Sequence, residues 1–284
     1  MNLFGYYNGK YGDIEALTVP FQNRALYFGD GCYDASFIVE GRVLFIQDHI
    51  DRFFNSMAAI KIRPDFSKED LKELIEECAR RSGTAYGLMY WQCDRGTAPR
   101  QHCFPPESVK PDLLISVNEK DGMPDVVSPG TAITFEDKRG FYCNIKTLNL
   151  LPNVLANQAA KEANVSEAIF VRPDGTVTEG SHTNVCIIKN RKLITHEDGE
   201  MVLPGITRKY IMKLAREASV DVEERSFSKK ELMEADEIFI TGSSTFTKRI
   251  MSVDGIPVGM KDDEAYAMIS GTYMKLCKTG HESG

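Results

Sequence analysis

Long apolar runs and a leader pattern are the first features that the sequence lacks. Its apolar stretches are short, so no segment is predicted to span a membrane. Residues 1–15 contain no basic region followed by an apolar run, so we expect no signal peptide. Internal repeats and low-complexity tracts are also missing. These absences favour an ordinary globular protein in the cytoplasm.

An excess of basic residues is missing as well. The chain carries 34 lysines and arginines against 41 acidic residues, which gives a net charge of −7 and an isoelectric point near 5.4. Proteins that bind nucleic acid usually present a basic stripe that outweighs their acids. A nucleic-acid partner is therefore not expected.

The spacings typical of disulfide frameworks and metal sites are absent too. The seven cysteines include no CxxC pair, and the five histidines include no HExxH motif. An odd number of cysteines without such a pair indicates reduced thiols in a cytosolic protein. We expect no metal ion.

What is present is the composition of a globular protein, with 42% hydrophobic and 26% charged residues among 284. Strands and helices alternate without a regular βαβ period, which favours an α+β fold over a doubly wound sheet. Turn-forming residues cluster at 121–130 and predict a linker. We therefore expect two domains, a small one at 1–120 and a larger one at 131–284.

Local signals predict several elements. Apolar spacing predicts a helix within 48–62, and Ser67 with Asp70 resembles a capping box that opens a helix ending before Gly83. Asp174 and Gly175 predict a hairpin turn. A further helix is expected from about Pro152, because proline suits the first helical turn.

One lysine lies in an otherwise largely apolar stretch, CNIKTLNLLPN, at 143–153. Burying the ammonium of Lys146 is costly unless it is paired or loses its proton. Alternatively its stem packs while the charge reaches water. This stretch by itself favours the second interpretation.

Three segments have features of phosphate sites. Gly205, Ile206 and Thr207 stand at the predicted start of a helix, where free backbone N–H groups attract anions. Ser243 lies in the small-residue turn TGSST, and Arg52 in HIDR offers a guanidinium fork. Each has an ordinary alternative, such as a helix cap or a solvated arginine.

Two segments offer charged groups for other roles. Glu179 lies in the strand-like TVTEGSHTNV, where it is alternatively a satisfied turn residue. Arg100 and His102 are two residues apart in RGTAPRQH, so in an extended chain they point the same way. Such a pair suits a carboxylate, although a solvated loop is the alternative.

Taken in order, these segments resemble the fold-type IV (class IV) pyridoxal-phosphate aminotransferases, and most closely the bacterial D-amino-acid aminotransferases. The resemblance extends from about FGDGCYD, at 28–34, to VDGIPVG, at 253–259. It implies a small N-terminal α/β domain and a larger, β-barrel-like C-terminal domain with helices. It also implies a cytoplasmic homodimer with pyridoxal 5′-phosphate as cofactor.

The resemblance also implies roles for individual residues. Lys146 matches the Schiff-base lysine, which is both covalent anchor and acid–base catalyst, and Glu179 matches the carboxylate that faces the pyridine nitrogen. The other matches hold the phosphate or pack against the cofactor ring: Arg52, Ile206, Thr207, Ser243 and Leu203. The substrate-binding matches are Tyr33, Tyr90, Arg100 and His102, the last two reaching in from the partner subunit.

The implied reaction is ping-pong transamination between a D-amino acid and a 2-oxo acid, of the D-alanine and 2-oxoglutarate type. Branched-chain L-amino-acid aminotransferases, (R)-amine transaminases and 4-amino-4-deoxychorismate lyases share the fold and are the alternatives. A further alternative is a protein that only carries the cofactor. The combination of Lys146, Glu179 and Arg100 argues against this alternative. The charged pair at 100 and 102 favours a D-amino-acid enzyme.

Three departures from the family pattern bear on substrate preference. His182 stands where relatives commonly have a small residue, and it either narrows the site or points away. Phe246 and Arg249 follow the small-residue turn, where relatives often carry Glu and Pro. Asp34 and Ala35 stand where relatives often have Glu and an aliphatic residue.

Overall fold

The structure is a computed structural model that describes residues 3–280. Contacts divide the chain into two compact units, Met1–Met123 with Ile145–Asn149, and Pro124–Asn144 with Leu150–Gly284. The α+β class predicted from the sequence is confirmed. The division at 121–130 remains a prediction. It assigned Ile145–Asn149 to the second domain, whereas the contacts of this segment are with the first unit.

The first unit is built on an antiparallel sheet. Its strands are β1 Leu3–Tyr7, β2 Lys10–Asp13, β3 Gly31–Val39, β4 Arg42–Val43, β5 Tyr86–Asp94 and β6 Asp112–Glu119, in the spatial order β2-β1-β6-β5-β3-β4. Successive side chains of a strand face opposite sides of the sheet. Thus Met89, Trp91 and Cys93 of β5 enter the core, while Tyr90 and Gln92 lie on the other face.

Helices complete the first unit: a short 3-10 turn at Ile14–Ala16, α1 Arg24–Phe28, α2 Ile46–Ala59 and α3 Lys68–Ser82. The predicted capping box at Ser67 and Asp70 is present, and α3 ends at Gly83 in a left-handed conformation. The helix predicted within 48–62 begins and ends earlier than expected. Lys61 adopts a positive φ of 58°, which the helix cannot continue through.

The second unit is a ring of strands with short extensions. Its strands are β7 Gly130–Glu136, β8 Glu167–Val171, β9 Thr176–Gly180, β10 Asn184–Lys189, β11 Lys192–Thr195, β12 Asp221–Glu224, β13 Phe227–Ser228, β14 Glu237–Gly242, β15 Phe246–Val253 and β16 Ile256–Pro257. Six strands form a closed ring, in the spatial order β10-β14-β15-β7-β8-β9. The ring closes because Asn184 of β10 pairs with Glu179 of β9. The expected barrel-like arrangement is therefore observed. Apolar side chains fill its core.

The helices of the second unit are α4 Leu151–Glu162, α5 Ile206–Glu217, α6 Lys229–Met233 and α7 Asp263–Thr279. Proline stands in the first turn of α4, as the sequence predicts. The predicted hairpin joins β8 and β9, where Gly175 supplies a φ of 89°. Among residues 3–280 no helix is both long and apolar enough to cross a membrane.

Candidate active site

Lys146 is fixed through its backbone to strand β3 and helix α2. Its carbonyl accepts a hydrogen bond of 2.9 Å from the N–H of Tyr33, and Thr147 forms an isolated β-bridge with Cys32. The N–H of Lys146 donates to Ser56 Oγ at 3.2 Å. The segment therefore behaves as an extra edge on the first sheet, which holds the lysine in one place although it lies outside any helix or strand.

The side chain of Lys146 lies against aromatic rings. Its Nζ is 4.3 Å from the centroid of the Tyr33 ring, and this ring stacks on Tyr90 at 5.3 Å and 25°. The Tyr90 hydroxyl donates to Gln92 Oε1 at 2.8 Å. Burial, and then the neighbouring Tyr33, raise the pKa of Tyr90, so its hydroxyl stays protonated. The apolar neighbourhood of Lys146 is thus partly an aromatic face that attracts cations.

Beside this pair lies a buried charge cluster on β3 and α2. Arg52 donates to both oxygens of Asp34, at 2.9 and 2.7 Å, and His49 Nδ1 is 2.7 Å from the same carboxylate. Burial alone would raise the pKa of Asp34, but the charge of Arg52, followed by His49, holds it well below its usual range. Asp34, identified from the sequence as a departure, is therefore the counter-charge of Arg52.

Arg100 and His102 are exposed, and both contact one aromatic ring. The guanidinium carbon of Arg100 lies 5.1 Å from the centroid of Phe28, and the His102 ring lies 5.3 Å from it. The structure thus brings the two side chains of the RxH pattern to the same place. Two hydrogen-bond donors at one exposed spot suit a carboxylate.

In the second unit Glu179 is the centre of a buried polar network. One carboxylate oxygen accepts hydrogen bonds from the N–H of Leu203, at 2.9 Å, and from Asn184 Nδ2, at 3.2 Å. Arg139 donates to the other oxygen. Glu179 is only 6% exposed. A carboxylate held from three directions stays in one orientation, which suits a fixed partner for a positive charge.

Arg139 connects Glu179 to a second buried acid. It donates to both oxygens of Asp137, at 3.0 and 2.9 Å, and to Thr178 Oγ1 at 3.1 Å. Burial opposes the charged form of Arg139, but Asp137 and then Glu179 outweigh it and raise its pKa. Sequence reading missed Arg139 and Asp137, because nothing in EDKRGF distinguishes them from a solvated turn.

Asn184, also missed, connects several predicted positions. Besides Glu179 it contacts Leu203, whose carbonyl accepts from Asn184 Nδ2 at 2.9 Å. A Cβ at Gly205 would come within 1.8 Å of Asn184 Oδ1, so any other residue there would displace the Asn184 amide. On its other side Asn184 pairs with Thr241 of β14. In the sequence, Asn184 could have been identified by its position directly after residues 180–183, the short segment that follows Glu179.

The predicted phosphate holders of this unit lie at a helix N-terminus and a turn. Ile206 and Thr207 are the buried first residues of α5, and Gly205 offers no side chain to cap their N–H groups. Thr207 Oγ1 is 3.2 Å from the hydroxyl of Tyr273. Ser243 is half-buried in the turn between β14 and β15.

Thr241, at the end of β14, carries a buried hydroxyl that has no hydrogen-bond partner among residues 3–280. An orphaned buried hydroxyl is costly unless something satisfies it. Together with the uncapped N-terminus of α5, it is an observation that fits an anionic group such as a phosphate.

The other departures are anchored within the second unit. His182 Nδ1 is 2.9 Å from Ser181 Oγ and 3.3 Å from Asn157 Nδ2, and about half of its side chain is exposed. Phe246 is fully buried with a φ of 56°. Arg249 donates twice to Glu237, at 3.0 and 2.6 Å. Packing and ion pairing therefore account for Phe246 and Arg249.

Comparison with known proteins identifies the family of the chain. The family model for class IV amino-transferases matches residues 31–253, so the chain belongs to that family. D-alanine aminotransferases are similar to it. The enzyme from Listeria monocytogenes is 38% identical over 258 residues, 88% of each chain, and that from Bacillus licheniformis is 36% identical over 257 residues, 89% of each.

Solved structures share the fold. The branched-chain aminotransferase from the archaeon Thermoproteus uzoniensis, with norvaline, superposes with a TM-score of 0.89 at 22% identity and covers 98% of this chain and 96% of its own. Another branched-chain amino acid aminotransferase, complexed with N-(5′-phosphopyridoxyl)-L-glutamate, superposes with a TM-score of 0.88 at 22% identity, over 99% of this chain and 95% of its own.

The family also defines the cofactor. Class IV aminotransferases depend on pyridoxal 5′-phosphate, and the chain is an enzyme of this kind. Each unit offers groups that suit this cofactor. The first has a lysine beside an aromatic ring, and the second has a fixed buried carboxylate and a helix N-terminus without a side-chain cap.

The network around Glu179 predicts a large stability effect for Arg139. We expect Arg139→Met to lower the free energy of unfolding by about 3–5 kcal/mol, because it removes the guanidinium that pairs with two buried carboxylates, Glu179 and Asp137. Urea unfolding followed by circular dichroism measures this. Lys110→Met, which removes the exposed ion pair with Asp65, is the control and should change little. An unchanged unfolding midpoint for Arg139→Met would show that Glu179 does not depend on Arg139.

Proposed function

We propose that this enzyme catalyses ping-pong transamination between a D-amino acid, D-alanine above all, and a 2-oxo acid such as 2-oxoglutarate. The observation that carries the substrate class is the exposed pair Arg100 and His102 on the Phe28 ring. The curated relatives named D-alanine aminotransferase support it at 34–38% identity. The branched-chain L-amino-acid enzymes are the alternative that the fold leaves open.

Lys146 is the proposed anchor and acid–base catalyst. Pyridoxal phosphate, when bound, supplies an electron sink that lets a carbon–hydrogen bond beside the amino group break. Lys146 would hold the cofactor through its side-chain amine, and that amine, once free, would take the proton from the substrate α-carbon and give it back to the carbon on the other side of the nitrogen. Its backbone bonds to β3 and α2 keep it at the same place in both roles.

Tyr33 and Tyr90 are the proposed walls beside Lys146. The Tyr33 ring covers one side of the amine, and the Tyr90 ring stacks on Tyr33. Since Tyr90 keeps its proton and bonds Gln92, it presents a neutral surface to substrate. A neutral aromatic wall leaves the substrate charge to be recognised elsewhere.

Glu179 is the proposed partner of the pyridine nitrogen. A fixed carboxylate favours a positive charge on that nitrogen, and Arg139, Asn184 and the Leu203 N–H keep the carboxylate in place. The Leu203 side chain packs against the cofactor ring in this proposal.

The proposed phosphate holders are the N–H groups of Ile206 and Thr207, the Ser243 hydroxyl and Arg52. The helix N-terminus offers N–H groups that no earlier turn uses. Arg52 is held by two hydrogen bonds to Asp34, so its positive charge has a fixed position.

Arg100 and His102 are the proposed receptor for the substrate carboxylate. The α-hydrogen must face Lys146 for the proton to move, so the side on which the carboxylate is bound selects the enantiomer. Charge-assisted hydrogen bonds of the kind that Arg100 makes are worth about 1.5–3 kcal/mol each. This is enough to set the orientation of a small amino acid.

A cytoplasmic homodimer completes the proposal. The first turns of α4 expose Leu151, Val154 and Leu155, at 69, 59 and 55%. This i, i+3, i+4 stripe is apolar and has the spacing of an interface helix. Seven cysteines without a CxxC pair support a reducing compartment. In the proposed dimer, Arg100 and His102 serve the partner subunit.

The first prediction from this proposal concerns Lys146. Borohydride reduction of the yellow holoenzyme, followed by peptide mapping, should place the pyridoxyl group on Lys146, because reduction makes the covalent link permanent. Lys146→Ala should carry no label, whereas Lys138→Ala, which alters an exposed lysine, should be labelled normally. A label on any other lysine in the wild type would end this assignment.

The second concerns stereochemistry. D-alanine should react faster than L-alanine, and Arg100→Ala should raise the Michaelis constant for D-alanine at least about tenfold and weaken the chiral preference. Stopped-flow spectroscopy of the half-reaction with each enantiomer measures both. Arg63→Ala removes another exposed arginine of the same unit and serves as the control. Faster reaction with L-leucine or L-valine than with any D-amino acid would move the enzyme to the branched-chain group.

The third concerns the dimer. Replacing Val154 and Leu155 together by glutamate should produce monomers, because charges on the stripe oppose its burial. Analytical ultracentrifugation measures the mass, and Ile256→Glu, at another exposed apolar position, is the control. A double variant that remains dimeric at low concentration would place the interface elsewhere.

Subunit mixing tests whether sites are shared. The Lys146→Ala chain is expected to be inactive, and the Arg100→Ala chain to be weakly active at D-alanine concentrations well below its raised Michaelis constant. Mixing the two chains should increase the activity under these conditions, because one site of each heterodimer would then be intact. Exchange is verified with a mass-tagged subunit. Exchange without recovered activity would indicate that each chain supplies its own Arg100.

A further inference from the structure

The loop that carries Arg100 and His102 is paired with helix α1 through its backbone. Arg24 N–H donates to the carbonyl of Gly96 at 3.1 Å, and Ala98 N–H donates to the carbonyl of Gln22 at 3.1 Å. Between these bonds Asn23 and Thr97 form an isolated β-bridge. The helix and the first half of the loop therefore form one structural piece.

Two buried carboxylates, Asp94 at the end of β5 and Asp112 at the start of β6, hold the helix and the loop to the sheet. Asn23 Nδ2 donates to Asp94, at 2.9 Å, and to Asp112, at 2.9 Å, while its Oδ1 caps α1 by accepting from Ala25 N–H at 2.8 Å. Thr97 Oγ1 donates to Asp112 at 2.8 Å. One asparagine thus links the sheet, the helix and the loop.

Side chains of α1 then contact the functional part of the loop. Arg24 Nη1 donates at 2.7 Å to the carbonyl of Gln101, the residue between Arg100 and His102. The ring of Phe28 lies 4.9 Å from the guanidinium carbon of Arg24 and 5.1 Å from that of Arg100. Helix α1 therefore contacts the loop at two places, at the start of the loop and at the RxH pair.

Arg24 itself is fixed. It is 3% exposed and its Nε donates at 2.7 Å to Asp30, which also binds Arg95. Burial raises the pKa of Asp30, but the bonds from Arg95 and then Arg24 outweigh it, so its pKa lies below the ordinary value. A buried arginine with a charged partner cannot swing away, so its bond to the Gln101 carbonyl is a rigid constraint.

We propose that Arg24 and Phe28 are positioning residues that hold Arg100 and His102 in the geometry that receives the substrate carboxylate. The inference rests on the proposed function of that pair. An exposed arginine is flexible, and ordering it on binding costs conformational entropy. The Phe28 ring and the fixed Gln101 carbonyl order it beforehand, so they act on substrate affinity and not on the chemical step.

The kinetic test uses the holoenzyme with Phe28→Leu. We expect the Michaelis constant for D-alanine to rise about two- to fivefold, the size of one exposed cation–π contact, with kcat unchanged. Tyr11→Leu is the matched control. It removes another aromatic ring, 4.0 Å from the guanidinium of Arg81, and should leave the Michaelis constant unchanged.

A double-mutant cycle separates positioning from general damage. If Phe28 acts through Arg100 and His102, Phe28→Leu should have a clearly smaller effect on the Michaelis constant in the Arg100→Ala background, where its contact with His102 remains. The second variant, Arg24→Lys, keeps the charge beside Asp30 but loses the planar guanidinium. It should also raise the Michaelis constant for D-alanine without changing kcat. Circular dichroism verifies that each variant is folded.

The outcomes distinguish this inference from the function on which it rests. If Arg100→Ala leaves the Michaelis constant unchanged, the proposed function fails and the inference fails with it. If Arg100→Ala raises the constant but Phe28→Leu and Arg24→Lys do not, only the inference is wrong. Equal effects of Phe28→Leu with and without Arg100 would also overturn it, because the ring would then act by another route.

Discussion

The cross-strand pair of Glu179 and Asn184 is the constraint on which the second unit depends. It closes the ring of strands between β9 and β10, and the same two side chains share a hydrogen bond. Asn184 reaches on to Leu203 and fills the space beside Gly205. The strand pair that closes the ring and the hydrogen bonds that hold Glu179 and Leu203 therefore involve the same two residues.

In each unit one buried carboxylate is paired with a buried arginine. In the first unit Asp34 faces Arg52 and His49, and in the second Glu179 faces Arg139. A buried charge without a partner would cost several kcal/mol, whereas a compensated one costs little and keeps a defined orientation. Each of the proposed cofactor contacts, Arg52 and Glu179, is thus oriented by a second residue that has no catalytic role of its own.

Sequence patterns predicted the elements whose signals are local. The capping box at Ser67, the proline turn that opens α4 and the Asp174–Gly175 hairpin all depend on a few adjacent residues, and all three are present. The early end of the helix predicted within 48–62 was missed, because the apolar spacing continues past the point where Lys61 turns the chain. The apolar spacing of a sequence indicates which side chains are buried. It does not indicate where a helix ends, because the end depends on backbone geometry.

The sequence by itself determined the family, the residue types of the candidate site and the order in which they occur. Lys146, Glu179 and the RxH pair could be proposed from the sequence because each stands in a short, characteristic context. Only the tertiary structure decided which residues support them. Arg139 lies 40 residues before Glu179, and Phe28 lies about 70 before Arg100. Such partners carry no local signal, because their roles arise from contacts that exist only after the chain has folded.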